Sequence, residues 1–271
     1  MKKFEKIIYA VLIVVFTVIF IVCAVKIGHY FIESKKQSDL YNELAGIVEA
    51  DRPTETTAEN SDNSDAALPS VSEPDSDGEP GILPEYSRLY LKNPDCIGWL
   101  RVPDTDINYP VMQTPDRPDY YLHRNFYGEY SSQGAIYAGE TYDVSKPSDS
   151  VTLHGHNMKD GSMFADLNKF KKEFFLKGHP TFTFDTLTQH HQYEIFAVFT
   201  TTASVGKGFK YYNFVNASDE DDFDSFVSSC ISLSHFDTGI VPQYGDKLVF
   251  LSTCDYSMPN GRFVVAARRI N

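Results

Sequence analysis

An uncharged apolar run over residues 7–25 constrains this chain more than any other feature of its sequence. As a helix, its 19 residues would be about 28 Å long, close to the thickness of the hydrocarbon layer of a bilayer. A cleaved signal peptide has a shorter apolar region followed by small residues, and Val22 directly before Cys23 does not fit a lipoprotein signal. The run therefore predicts an uncleaved transmembrane anchor within residues 1–26.

The positive charges beside this run do not decide its orientation. Three lysines precede the run and three follow it, so the positive-inside comparison is balanced: Lys2, Lys3, Lys6, Lys26, Lys35 and Lys36. Because the segment before the run is only six residues long, we expect the bulk of the chain to lie outside the cytoplasm.

A strongly acidic segment separates the run from the remainder of the chain. Residues 27–50 have helical periodicity and predict a juxtamembrane helix, whereas residues 51–80 hold nine acids, one base and no aromatic residue. This segment supplies −8 of the formal charge of −13, a balance that argues against a nucleic-acid binder. Residues 27–81 are therefore expected to form a juxtamembrane helix and a disordered tether; an acidic interaction tail is the alternative.

Residues 82–271 are predicted to form one mainly β domain, because short alternating or β-branched runs recur between Gly, Pro, Asn and Asp clusters. The predicted strands cover 98–102, 107–113, 134–139, 150–156, 181–184, 193–201, 247–254 and 262–270. Helices are predicted over 163–175 and 218–233, the second capped by Ser218 and carrying an apolar stripe that ends at Cys230. This pattern is typical of a sandwich or a barrel.

The four cysteines are too few for a disulfide scaffold, and their surroundings differ. Cys23 lies in the apolar run, while Cys96 and Cys230 are expected to be small buried side chains; a disulfide between these two is left open. Cys254 ends a predicted strand just before the turn-forming sequence DYSMPNG, and Arg262 begins the next strand. An antiparallel hairpin would bring this thiol and guanidinium together.

Such a pairing has two interpretations. A guanidinium favours a thiolate, and it is able to donate to the oxyanion that forms when sulfur attacks a carbonyl. The alternative is a surface Arg262 beside a half-buried Cys254. A nucleophilic sulfur needs a partner that handles protons, and His154 and His156 are predicted to end another strand on one side of it. A metal is the alternative for an H-x-H pair, but no acidic or cysteine ligand lies at a helpful spacing, so we expect no metal.

Taken together, these residues resemble the signature of sortases, the membrane-anchored cysteine transpeptidases of Gram-positive bacteria. The similarity rests on LSTCDY…GRFVVAAR (251–268) together with LHGHNM (153–158). Three further segments, 93–113, 120–137 and a helix-bearing insertion at 215–240, resemble class B of this family.

The resemblance implies an eight-stranded sortase-type β-barrel with N-terminal helices and a helix-bearing insertion before the cysteine strand. It also implies that Cys254 is the nucleophile, His156 the acid/base residue and Arg262 the stabiliser of substrate and oxyanion. Ser252 corresponds to a position that contacts the sorting peptide. No cofactor is implied, and residues 82–271 would be the catalytic domain.

The implied reaction cleaves a C-terminal NPxTx-like sorting motif of a secreted protein through a thioester. The protein would then be transferred to an amine of a lipid-linked peptidoglycan precursor. The implied location is a single-pass cell-membrane protein with a cytoplasmic N-terminus and an extracellular catalytic domain. The alternatives are a pilin-polymerising sortase that uses a lysine acceptor, a cysteine hydrolase and a non-catalytic surface-binding module.

Overall fold

One helix, α1 (Lys2–Asp51), opens the chain in this computed structural model, which describes residues 2–53, 81–139, 142–143, 146 and 148–271. The chain divides into two compact units, Met1–Leu40 and Tyr41–Asn271. Almost all of the predicted acidic tether lies outside the described residues.

The first unit contains the apolar run as part of α1. An 18-residue window of this helix has a mean hydropathy of 3.2, and its side chains are exposed. By length and composition the helix is able to cross a membrane. It continues through the predicted juxtamembrane segment without a break and ends at Asp51.

The last three turns of α1 belong to the second unit and pack within it. Tyr41, Leu44 and Val48 follow one another at helical spacing and are all buried. The Tyr41 hydroxyl donates a hydrogen bond of 3.1 Å to the carbonyl of Gly134. The compact unit that contains the site therefore begins well before residue 82.

Eight strands form a closed barrel in the second unit. They are β1 (Cys96–Arg101), β2 (Asn108–Met112), β3 (Ile136–Ala138), β4 (Ser150–His154), β5 (Thr181–Thr186), β6 (Gln192–Thr202), β7 (Leu248–Asp255) and β8 (Gly261–Arg269). Their order around the barrel is β1-β2-β3-β4-β7-β8-β6-β5, and β5 closes onto β1. The expected eight-stranded barrel is confirmed.

The pairing of β4 with β7 positions the site. These strands are parallel neighbours, with His154 opposite Ser252, so both run toward the same end of the barrel. β8 pairs antiparallel with β7 and begins at that same end. Consequently the last residues of β4 and β7 and the first residues of β8 lie together.

Besides the end of α1, the described part of this unit contains the α-helices α2 (Pro84–Lys92), α3 (Glu173–Gly178) and α4 (Glu220–Leu233). α4 lies in the long connection between β6 and β7, as expected for the insertion. Its predicted apolar stripe is buried in one core cluster with Phe250 of β7 and Val264 of β8. The α4 cap differs by one residue from the prediction, because Asp219 rather than Ser218 accepts from the backbone NH of Asp222.

The helix predicted over 163–175 is wrong as one element. The structure has a 3-10 segment, Ala165–Lys171, followed by α3. The two are separated by Lys172, whose φ of −108° and ψ of 120° are extended rather than helical. The apolar spacing that indicated one helix is therefore divided between two short segments.

Candidate active site

The hairpin β7–β8 brings Cys254 and Arg262 together as predicted. These residues are directly opposed across the antiparallel ladder. The turn between the strands is tight: Asn260 has a left-handed φ of 51°, a conformation that asparagine adopts more readily than most residues. A Cβ on Gly261 would collide with the carbonyl oxygen of Asp255, so the first residue of β8 is glycine.

Cys254 is the half-buried cysteine of the second unit, whereas Cys96 and Cys230 are fully buried. Burial raises the pKa of Cys96 to about 12 and also raises that of Cys230. Both buried thiols are free, so the structure contains no disulfide between them. Because a thiolate is the reactive form of cysteine, the raised pKa values of Cys96 and Cys230 keep these two thiols unreactive.

The Arg262 guanidinium is half-buried and donates a 3.0 Å hydrogen bond to the carbonyl of Gly261, its neighbour in the chain. Among the residues that the structure describes, it forms no ion pair with a carboxylate. Its positive charge helps to lower the pKa of His154 and opposes the raised pKa values of Tyr137 and Tyr211. The guanidinium is therefore available to an oxygen of a substrate.

Three hydrogen bonds attach the segment after β4 to the cysteine strand. The Gly155 NH donates to the Ser252 carbonyl over 3.1 Å, and the Thr253 hydroxyl donates to the Gly155 carbonyl over 2.8 Å. The side-chain amide of Asn157 donates to the carbonyl of Cys254 itself over 2.8 Å. Gly155 and Asn157, the two residues on either side of His156, are therefore both hydrogen-bonded to β7.

Gly155 is required by the close approach of other side chains. A Cβ at this position would lie 2.5 Å from Ile136 Cδ1 and 2.8 Å from the ring of Phe164. Such contacts leave no room for any side chain larger than hydrogen. The glycine before His156 therefore allows the segment to pass between these two residues.

The His156 imidazole is fixed by the short 3-10 turn Tyr120–His123. His156 Nε2 lies 2.8 Å from the carbonyl oxygen of Leu122; since that oxygen only accepts, Nε2 carries the hydrogen and Nδ1 is left to exchange a proton. Burial lowers the pKa of His156, the charge of His123 lowers it further, and the Leu122 bond opposes both. The pKa of this ring therefore lies below the ordinary value of 6.5, which favours the neutral form.

His154 lies in a different environment from His156. Its ring packs on Tyr137 with centroids 5.5 Å apart, and burial lowers its pKa to about 4. The prediction that β4 carries both histidines is wrong, because the strand ends at His154 and the strand alternation does not extend to His156.

Ser252 is buried beside Tyr211, which precedes the insertion in the chain. It is 1% exposed, and its hydroxyl oxygen lies 2.5 Å from that of Tyr211. Tyr211 is itself buried against Phe250, two residues before Ser252 on β7. The predicted peptide-contacting side chain is therefore covered by Tyr211 in this structure.

Asp255, next to the cysteine, forms an ion pair that the sequence did not indicate. Its carboxylate accepts from Lys171 Nζ over 2.7 Å and from the NH of Ser257 over 2.8 Å. Burial opposes ionisation, but these hydrogen bonds outweigh it and hold the pKa of Asp255 at about 2. The pair joins the 3-10 segment Ala165–Lys171 to the end of β7 beside Cys254.

Sequence reasoning missed Asn157, Leu122, His123 and Lys171. Asn157 directly follows the Gly-His pair in the sequence, and this position was the one feature that could have indicated a role for it. Leu122 acts through its backbone carbonyl, which no side-chain pattern reveals. His123 and Lys171 are far from their partners His156 and Asp255 in the sequence, so only the folded chain shows these contacts.

Comparison with known proteins identifies the family. A sortase-domain family model matches residues 100–270. Sortase B of Listeria monocytogenes is 34% identical over 191 residues, which are 70% of this chain and 75% of that protein. Sortase B of Staphylococcus aureus is 27% identical over 191 residues, 70% of this chain and 76% of that protein. The crystal structure of sortase B from Bacillus anthracis in complex with AAEK1 has a TM-score of 0.69 and 30% identity, covering 89% of this chain and 99% of that one.

The family match covers more than half of the chain and includes every residue of the site described above. The relatives named above are sortases of class B. The barrel, its helical insertion and the paired thiol and guanidinium agree with this assignment. The chain therefore belongs to the sortase family, in class B, and is a cysteine transpeptidase.

Proposed function

We propose that this transpeptidase cleaves an NPxTx-like sorting motif near the C-terminus of secreted proteins and transfers them to an amine of a lipid-linked peptidoglycan precursor. The observation that supports the site assignment most directly is the pairing of Cys254 with Arg262 beside a segment bonded to the same strand. In this proposal Cys254 is the nucleophile, His156 the acid/base residue and Arg262 the oxyanion donor.

The first half-reaction forms a thioester. The neutral His156 ring takes the proton of the Cys254 thiol at Nδ1, and the sulfur attacks the carbonyl carbon of the motif threonine. Arg262 donates to the oxygen as it becomes negative. When the tetrahedral intermediate collapses, the carbon–nitrogen bond after threonine breaks, and His156 returns its proton to the leaving amine.

The second half-reaction releases the thioester. An incoming amine attacks the same carbonyl carbon, and Arg262 again faces the oxygen that gains charge. His156 takes a proton from the attacking nitrogen while the carbon–sulfur bond breaks. The proton then returns to the sulfur of Cys254, so the enzyme is restored and one new amide bond replaces the one that was cleaved.

We propose that Ser252, on the same strand as Cys254, supports the peptide-binding surface through its short contact with the Tyr211 hydroxyl. Since the side chains of Ser252 and Tyr211 are both buried, this contribution is one of support rather than of direct contact with the peptide.

The proposed location follows from the anchor and from the substrates. Residues 1–26 would supply a cytoplasmic tail and a single membrane span, residues 27–81 a juxtamembrane helix and tether, and residues 82–271 the catalytic domain outside the membrane. The apolar helix supports such an anchor. Anchoring would confine the enzyme to the surface where a lipid-linked acceptor is located and so raise their effective concentration.

The test uses the full chain in detergent micelles with a panel of quenched sorting peptides, with and without an amine acceptor. We expect turnover of NPxTx-like peptides, and an amide-linked product when the amine is present. Cys254→Ala should abolish turnover, whereas Cys23→Ala, in the apolar helix, should retain it as the matched control. Turnover that survives Cys254→Ala would remove the nucleophile assignment.

The same assay separates the alternatives. Release of free acid in the presence of amine would indicate a hydrolase, and no turnover of any peptide would favour a binding module. Preference for a lysine side chain over a peptidoglycan-derived amine would indicate a pilin polymerase. Mass spectrometry of the product distinguishes the two acceptors.

A further inference from the structure

The turn Tyr120–His123 contacts His156 in two different ways. The carbonyl of Leu122 accepts from the edge of the ring at Nε2 over 2.8 Å. The next residue, His123, stacks on the ring face with centroids 5.5 Å apart and an interplanar angle of 23°. Two successive residues therefore hold one imidazole at its edge and at its face.

We propose that His123 is a positioning residue for His156, because its stacked ring holds the imidazole in place. This inference rests on the acid/base role proposed for His156. It adds a second histidine to the account of the reaction, one that touches no reacting atom.

The turn that carries His123 is itself firmly held. The Tyr121 hydroxyl donates to Asp95 over 2.7 Å, and the backbone NH of Ala135 donates to the Tyr121 carbonyl over 3.0 Å. The NH of Ser131 donates to the carbonyl of His123 over 3.0 Å. His123 is thus an exposed side chain on a fixed backbone, with one ring face against His156.

Gly134 lies against the Leu122 carbonyl, which is the hydrogen-bond acceptor of His156. Gly134 has a left-handed φ of 62°, and a Cβ there would collide with the carbonyl of Leu122. The carbonyl that fixes His156 therefore lies against a position that only glycine fills without strain. The turn and the segment 131–135 are packed as one unit behind the imidazole.

The charge of His123 also acts on His156. Within the part of the chain that the structure describes, His123 is the only residue whose charge acts on the pKa of His156. Imidazole groups gain protons as the pH falls through the region of about 6.5. A positive charge on His123 disfavours the protonated form of His156, so the neutral form of His156 persists to lower pH.

Three variants of the full chain in detergent micelles separate the ring from the charge. His123→Phe keeps an aromatic ring but removes the charge; the acid limb of its kcat/KM profile should move up by about half a pH unit, with kcat at pH 8 within about twofold of wild type. His123→Asn removes both the aromatic ring and the charge. It should move the acid limb up and, in addition, lower kcat at pH 8. His123→Lys keeps a cation without the ring and should lower kcat at pH 8 while the acid limb does not move up.

His179→Phe is the matched control. His179 is another imidazole stacked on an aromatic ring, Phe175, with centroids 4.2 Å apart, and its Nε2 contacts Asp104 rather than the site. The acid limb of this variant should coincide with that of wild type. A similar shift in both variants would show a general effect of removing a histidine and would overturn the proposal.

A measurement without turnover keeps this inference separate from the proposed function. The His156 ring carbon signal, assigned by its loss in His156→Ala, is titrated by NMR in wild type and in His123→Phe. A His156 pKa that is higher in the variant supports the proposal; an equal pKa overturns it, as does an unchanged kcat in His123→Asn. If His156→Ala still transfers peptide, the proposed acid/base role fails, whatever the NMR titration shows.

Discussion

Cys254 and Arg262 are opposite one another across the β7–β8 ladder, with the hairpin turn between them. The strand pairing fixes the backbone positions of these two residues, so their placement depends on the sheet rather than on a loop. A change of the Arg262 side chain therefore tests its chemistry with little effect on the position of Cys254.

Arg262→Ala should lower kcat/KM for a sorting peptide by about 10²–10³, the usual cost of removing one oxyanion donor. Arg262→Lys should recover only part of this loss, because a lysine has no planar fork of donors. Peptide turnover is the measurement, and Arg269→Ala, at the other end of β8, is the control that should retain activity. Equal losses in both arginine variants would contradict the assigned role.

Asn157→Ala should lower kcat about 10- to 100-fold, because the segment that carries His156 loses its bond to the Cys254 carbonyl. Asn168→Ala removes the hydrogen bonds from Asn168 to Asn157 and to the Ala165 carbonyl but keeps the bond from Asn157 to Cys254, so it should have a smaller effect. Steady-state kinetics of the two variants provides the comparison. Wild-type kcat in Asn157→Ala would show that this bond does not position the site.

Ser252→Ala should lower the free energy of unfolding by about 1–3 kcal/mol, since it leaves the buried Tyr211 hydroxyl without its partner. Tyr211→Phe has the corresponding effect on Ser252, so the double variant should be more stable than the sum of the two single losses predicts. Chemical denaturation of all four proteins gives the coupling. Strictly additive losses would mean that the two hydroxyl groups do not interact.

The ionisation of Asp255 makes the stability of the folded protein depend on pH. Its folded pKa of about 2 lies below the ordinary value of 3.8, so its contribution is fully present above about pH 4 and is lost as the pH falls toward 2. Lys171→Met should therefore destabilise the protein by about 2 kcal/mol at pH 7 and by much less near pH 2.

The control for this pH dependence is Lys169→Met. Lys169 also pairs with an aspartate, Asp166, but it is more exposed than Lys171, so its loss should have a small effect at either pH. Unfolding curves recorded at several pH values give the comparison. A stability difference between wild type and Lys171→Met that does not change with pH would exclude the Asp255 pair as its source.

Local patterns in the sequence were sufficient for much of the barrel and for the central pair of the site. Alternation and turn residues located all eight strands, and the sequence Pro259-Asn260-Gly261 placed a turn that puts Cys254 opposite Arg262. These features depend on neighbours in the chain, so they are readable without tertiary structure.

The remaining features depend on contacts between distant segments. His156 is fixed by a carbonyl 34 residues earlier in the chain, and no residue type at Leu122 indicates this. The burial of Leu44 in the compact second unit was likewise invisible in a segment that had only helical periodicity. The break at Lys172 was missed because its residue type is compatible with a helix.

The most direct test of the account is to trap the thioester. The full chain is incubated with a sorting peptide without amine, quenched in acid, and analysed by intact mass and peptide mapping. The account predicts an adduct whose mass is that of the peptide up to its threonine, located on Cys254 and lost when an amine is added. Peptide cleavage with no adduct, or with an adduct on another residue, would contradict it.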